Sequence, residues 1–424
     1  MILDRKQAPH NSINFSFPEI KPQKYVLPNG IPLYVFDTGS QELCKIELVF
    51  TAGNYYESNP LIAYATNALM REGTISKTAS EIAEQLDFHG AFLELSIYND
   101  KSSVVLYSLN KHLNKTLPVL IDIIQHANYP EKEVILFKTN QKQKFLVNQQ
   151  KVDFVARNYF NKLLFNQSPY NQFIVESDYD KITPEQLQKF YYQQYQNNNW
   201  YIVMAGKIHQ EQILELTQTL GQLHLHGEKT DVAYQNNIGA GQKQYIEKAD
   251  ALQSAIRIGR RLFNKKHEDY YGMLVLNTIL GGYFGSRLMA NIREDKGYTY
   301  GIGSGIVSLQ HDGYFCISTE VGTEVTQDAL NEIYKEIEQL QQEPVSNDEL
   351  NLVKNYMQGT FLRSVDGPFA LSDKFTAIND YGLTNNYYIN YVEYIKQAKA
   401  EDIMRLAQKY LNKSDLSQLV VGKL

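Results

Sequence analysis

Apolar residues alternate with polar ones at helical spacing over residues 182–195, and a short apolar run ends that segment at "WYIVMAGK". The last 27 residues repeat the arrangement. Aligned without a gap, "ITPEQLQKFYYQQYQNNNWYIVMAGKI" from Ile182 and "AKAEDIMRLAQKYLNKSDLSQLVVGKL" from Ala398 put Glu185 on Glu401, Leu187 on Ile403 and Lys189 on Arg405. Val203–Ala205 fall on Leu419–Val421, Gly206 on Gly422 and Lys207 on Lys423. Each segment reads as an amphipathic helix, a polar turn and a short strand closed by Gly-Lys.

The same order recurs upstream. "GAFLELSIYNDKSSVVLYSL" from Gly90 and "GIGSGIVSLQHDGYFCISTEV" from Gly301 read as hairpins, turning at Asn99-Asp100 and Asp312-Gly313. A helical pattern follows each: "NKTLPVLIDIIQHA" and "TQDALNEIYKEIEQLQ". A tandem duplication of roughly 200 residues accounts for these pairs. Residues 224–244 are polar, glycine-bearing and without period, as an interdomain linker would be. The expected division is 1–225, a linker at 226–244, and 245–424. Hairpins outnumber regular strand–helix–strand units, so the fold class expected is α+β: two tandem domains, each a mainly antiparallel sheet packed with helices.

Composition narrows function by exclusion. The 424-residue chain is 43% hydrophobic and 21% charged, as ordinary globular proteins are, with net charge −6. Its lysines and arginines are scattered, so nothing favours nucleic acid or an anionic membrane as a partner. No run reaches the ~18 apolar residues of a membrane span. The N-terminus has no signal-peptide core, so a cytoplasmic location is expected, or a periplasmic one if a leader has been removed. Only Cys44 and Cys316 occur, each in an apolar run, and they read as reduced buried thiols.

The densest candidate chemistry is "REDKGYTYGIGSG", residues 293–305. A dinucleotide loop needs strand, glycines and then helix. Here the order is reversed: "SRLMANIREDK" reads as a helix with Ser286 as N-cap, and Gly297 sits where a glycine would stop it. Gly301, Gly303 and Gly305 then alternate along a strand, baring one face either for an extended peptide or for a closely packed helix. Arg293 and Tyr300 could grip a peptide carbonyl, or could be a helix-end cation and core aromatic.

The wider segment "LNTILGGYFGSRLMANIREDKGYTYGIGSG" resembles the C-terminal domain signature of the insulinase (pitrilysin) family of zinc peptidases. It carries Asn277, Leu280, Gly281 and Gly282, then Ser286, Arg287 and Leu288, then Arg293, Glu294, Lys296, Gly297 and Tyr300. "LPNGIPLYVF" at Leu27 and "LLFNQSPY" at Leu163 resemble the family's opening strand and a mid-domain stretch. The resemblance implies two insulinase-like domains forming one half of a clamshell. It also implies that Arg293 and Tyr300 reach across a chamber to substrate near a zinc ion.

The family's zinc motif, H-x-x-E-H, supplies two ligands and a general base. The run similar to it here is "LIAYATNALMREGT", with Gly73-Thr74 marking its end. Tyr64 and Ala68 fall on the ligand positions and Asn67 on that of the base. Alanine has no donor atom, asparagine cannot take a proton from water, and neutral tyrosine is a poor ligand. A third ligand, a glutamate about 75 residues further on, is also missing. Val134–Val175 contains no glutamate, and its only acid is Asp153. No two histidines are spaced four apart; "HLHGE" at His224 lies in the linker, and His89 and His311 read as turn residues.

These readings imply a non-catalytic subunit of a bacterial-type two-chain zinc peptidase. No cofactor is expected in this chain; zinc would sit in a partner bearing H-x-x-E-H, with a peptide as substrate. A structural or assembly protein of the same fold is the alternative.

Overall fold

A computed structural model describes residues 19–223, 225 and 241–423. Most of the stretch read as a linker, with its His224 and His226, lies outside the described residues.

In the first half, strands β1 (Gln23–Val26), β2 (Pro32–Asp37) and β3 (Leu43–Phe50) precede helices α1 (Ile62–Leu69) and α2 (Ala79–Phe88). The hairpin β4 (Phe92–Ile97) and β5 (Ser102–Leu109) follows. Helices α3 (Leu113–His126), α4 (Glu131–Asn148), α5 (Val152–Phe165) and α6 (Pro184–Tyr195) come next. Strand β6 (Trp200–Gly206) and helix α7 (Gln210–Gly221) close this half.

The second half opens on β7 (Lys243–Glu247), β8 (Gln253–Leu262) and α8 (Tyr270–Leu280). After the hairpin β9 (Ile302–Ser308) and β10 (Gly313–Gly322) come α9 (Thr326–Gln342), α10 (Asn347–Arg363) and α11 (Gly367–Asn379). It ends with α12 (Asn386–Gln397), α13 (Ala400–Tyr410) and β11 (Ser417–Gly422).

The two sheets have one topology. The first runs β1-β2-β6-β3-β5-β4 and the second β7-β11-β8-β10-β9. In each, the last strand inserts between two early ones: β6 lies parallel to β2, and β11 parallel to β7. All other pairings are antiparallel. The inserted strands are the Gly-Lys strands of the sequence repeat, and their continuous burial explains their unbroken apolar runs. The fold is therefore α+β and duplicated.

Each sheet buries one face on its own helices and the other on a helix from the opposite half. Val152, Ala156 and Phe160 of α5 pack on Ala255 of β8 and Leu419 and Val421 of β11. Reciprocally, Leu371 and Ile378 of α11 pack on Phe36 of β2 and on Val203 and Ala205 of β6. Ion pairs fix both helices. Asp153 of α5 pairs with the buried Arg257 of β8, and Asp373 of α11 accepts from the buried Lys45 of β3 at 2.5 Å. The two hairpin turns also meet, where Asp100 accepts from the Gln310 amide at 2.9 Å and from the Tyr170 hydroxyl.

Both cysteines are free. Cys44 is fully buried and Cys316 lies half-buried on the face covered by α5. Among the described residues, no helix is long and apolar enough to cross a membrane.

Candidate functional site

The Arg293/Tyr300 region begins with backbone contacts that require glycine. The Gly281 carbonyl accepts the Ser304 amide at 3.0 Å, tying the end of α8 to β9. A Cβ on Gly281 would lie 2.6 Å from Ser304 Oγ, so this close approach needs a bare Cα.

The following segment departs from the α-helix expected of "SRLMANIREDK". Met289–Asp295 winds as a π-helix, and Ser286 does not cap it; its buried hydroxyl has no hydrogen-bond partner among the described residues. A π-turn inserts an extra residue per turn, which rotates the side chains beyond it. Gly297, at φ +67°, stops the helix as expected.

Rotated in this way, Arg293 folds back on its own loop. Its Nε donates to the Tyr300 carbonyl at 3.1 Å, and the guanidinium lies 4.8 Å from the centre of the Phe284 ring. Thr299 fixes the backbone on either side of Tyr300. Its hydroxyl donates to the Glu320 carbonyl at 2.6 Å and accepts the Gly301 amide at 3.1 Å. The Tyr300 ring is 94% exposed, and among the described residues its hydroxyl makes no hydrogen bond. A pinned main chain thus presents a free phenol.

Beyond it lies β9, the edge strand of its sheet. A Cβ on Gly301 or Gly305 would meet nothing within 4 Å, whereas one on Gly303 would sit 3.5 Å from the Gly281 carbonyl. The bare face at Gly301 and Gly305 therefore has open space immediately above it. Tyr300 borders a cleft of about 270 Å³ whose other walls include Arg257, Glu320 and Asp153. Burial works against the Asp153 carboxylate, but Arg157 and Arg257 outweigh it and hold its pKa below the usual range. Asp153, the lone acid of its segment, is thus a tie between halves.

The region similar to the zinc motif sits on α1 and is closed. Asn67 is 2% exposed, and its Nδ2 donates to the Tyr195 hydroxyl at 3.3 Å. Tyr64 is half-buried, with its ring 5.6 Å from that of Phe137 on α4. Burial raises the Tyr64 pKa, which disfavours a ligating phenolate. Ala68 completes the motif with a methyl group. These side chains do not fit a zinc ion, and among the described residues no three His, Cys, Asp or Glu side chains converge.

One group here escaped the sequence reading. Leu61 stands at the N-cap of α1 with φ 74° and offers no capping side chain. Glu57 takes over that role, accepting the Ala63 amide at 2.9 Å. Burial pushes its pKa up to about 8 in spite of that bond and further ones from the Leu61 and Ile62 amides. It lies several residues ahead of the helix, outside the capping-box spacing that a sequence search uses.

Tyr64 and Glu57 face a cavity of about 470 Å³ closed by Phe154, Phe160, Tyr314 and Cys316. Arg257 borders both this cavity and the Tyr300 cleft. The structure thus brings Arg293 and Tyr300 together, groups Tyr64, Asn67 and Ala68 on α1, and joins the two sets' surroundings at α5 and Arg257.

Residues 181–357 match the family described as the peptidase M16 inactive domain. A relative from Bacillus subtilis, "Uncharacterized zinc protease YmxG", is 23% identical, over 81% of this chain and 84% of its own. A Helicobacter pylori relative, "Non-peptidase homolog YmxG", is 21% identical and covers 100% of this chain and 96% of its own. Among solved structures, a peptidase M16 inactive domain from Pseudomonas fluorescens superposes with a TM-score of 0.88. It is 21% identical, over 95% of this chain and 98% of that one. Residues 181–357 are thus similar to the peptidase M16 inactive domain, and the chain shares the fold of a solved member.

Proposed function

We propose that this chain is the non-catalytic subunit of a two-chain zinc peptidase, lending Arg293 and Tyr300 to a partner that carries H-x-x-E-H. The observation that carries this reading is Tyr300: 94% exposed, uncommitted in hydrogen bonding, and held by the Thr299 and Gly301 backbone contacts. A phenol fixed in this way can donate to the scissile carbonyl, or to neighbouring substrate backbone, as negative charge develops. Arg293 holds the Tyr300 loop through its Nε, which among the described residues leaves its other guanidinium donors without a close carboxylate except Glu294 at 3.7 Å. The open space beside Gly301 and Gly305 of edge strand β9 leaves room for an extended peptide. Zinc and the general base would come from the partner.

Co-purification with an H-x-x-E-H chain encoded nearby tests the reading. Each chain alone should hydrolyse peptides poorly, and the pair well. Tyr300→Phe should leave assembly intact while lowering turnover by ~10²–10³, the usual effect of removing one such donor. Unchanged cleavage by the mutant pair would sink the assignment.

A scaffold without proteolytic role is the second reading, favoured by the printed name of the Helicobacter pylori relative, "Non-peptidase homolog". It predicts a stable complex whose partners do not raise each other's peptide hydrolysis.

A further inference from the structure

A second cavity, of about 420 Å³, lies among α8, α10, α11 and α12 of the second half. That volume falls within the range of small-molecule sites, roughly 300–1,000 Å³. Its walls are aromatic. Phe361 stands 5.6 Å from Tyr388 and 5.3 Å from Tyr391, and Tyr387 stacks edge-on to Tyr388 at 5.1 Å. Two lysines line it, Lys265 and Lys374, and Lys265 also borders the neighbouring cleft beside Asp373, Asp380 and Tyr381.

Neither ammonium has a carboxylate within 4 Å among the described residues. Lys374 Nζ lies 5.7 Å from the centre of Phe361 and 5.9 Å from that of Tyr388, with no hydrogen bond among the described residues. Lys265 Nζ donates to the Ala377 carbonyl at 2.7 Å and lies 4.5 Å from the centre of the Tyr381 ring. Elsewhere in the same interdomain region, cations are matched: Lys45 with Asp373 and Glu47, Lys101 with Asp380. Two half-buried like charges sharing one cavity are costly unless an anion joins them. Burial lowers the Lys374 pKa against the partial help of Asp373. Burial and the charge of Lys101 push Lys265 down to about 8; Asp380 opposes this and Lys374 adds to it.

We infer that this cavity binds a small organic anion whose carboxylate lies between Lys265 and Lys374 and whose aromatic body packs on Phe361, Tyr388 and Tyr391. Charge selects the head group, and ring faces select the body. Such chemistry comes either from a free aromatic acid or from a peptide ending in an aromatic residue. The site is separate from Arg293 and Tyr300, and the inference does not depend on the peptidase reading.

Calorimetric titration of the full chain at pH 7.5 tests it with three probes: 3-phenylpropionate, N-acetyl-glycyl-phenylalanine, and 3-phenylpropanol as the uncharged control. At least one acid should bind tenfold or more tightly than the alcohol, and the tighter acid identifies the source. Lys374→Gln and Lys265→Gln should each weaken that acid at least tenfold, with Lys374→Arg retaining most of the affinity. Thermal unfolding checks that the variants fold, and the wild-type contrast of acid with alcohol stands without them. Acids that bind no better than the alcohol, do not bind at millimolar concentration, or bind the folded Gln variants as well as wild type would overturn the inference.

Discussion

The α1 region and the Arg293/Tyr300 region, the two segments that resemble insulinase-family motifs, have opposite physical characters. Around α1 the polar groups are consumed internally: Asn67 bonds to Tyr195, Tyr64 packs on Phe137, and Glu57 caps the helix. Around Tyr300 the backbone is over-determined while the phenol is left free. Side chains with no outside ligand to bind are free to be recruited into packing. A side chain kept for an outside ligand must instead be held by its backbone, because nothing inside the molecule holds the side chain itself.

The contrast can be broken most severely at Asn67. Asn67→Glu would place a carboxylate in a fully packed site without a cation. We predict a destabilisation of about 3–5 kcal/mol, read from denaturant midpoints. A variant as stable as wild type would mean that α1 retains an accommodating, site-like environment. Its counterpart, Tyr300→Phe, should change stability by less than about 0.5 kcal/mol, as substitutions of exposed side chains usually do. A large loss of stability there would recast Tyr300 as structural.

Glu57 sharpens the same comparison through pH. Its folded pKa, about 8, lies above the ordinary 4.5, so the folded state favours the neutral acid. The stability tied to that proton is fully present below the ordinary pKa and is lost as pH rises towards 8. Wild type should therefore lose stability between pH 5 and 8 relative to Glu57→Gln, which carries no proton to lose. Parallel curves for the two proteins in denaturant titrations at several pH values would remove burial as the dominant influence on Glu57.

A modest effect of opposite sign is expected at Gly305. Its added Cβ meets nothing within 4 Å, and alanine loses less backbone freedom on folding. Gly305→Ala should stabilise by about 0.5–1 kcal/mol. Destabilisation would show that the face of β9 is occupied after all.

How far the sequence was legible follows from how local each signal is. The hairpins at Asn99-Asp100 and Asp312-Gly313 and the helices after them stand where alternation and turn residues put them. Gly297 ended its helix as expected. The π-helix at Met289–Asp295 was not legible, because Leu288 and Ile292 satisfy α spacing equally well. Capping by Glu57 was missed because it acts across a loop rather than at a fixed offset.

By itself, the sequence determined the duplication and the α+β class, and it set apart Tyr64, Asn67 and Ala68 on one segment and Arg293 and Tyr300 on another. All of these are written in local pattern and residue chemistry. Only the tertiary structure decided that α5 and α11 are exchanged between halves, that Asp153 answers Arg257, and that Lys265 and Lys374 line one cavity. An amphipathic helix declares that it has an apolar face and leaves its partner unstated. Residues about a hundred apart, such as Asp153 and Arg257, meet only when both sheets have closed around their borrowed helices.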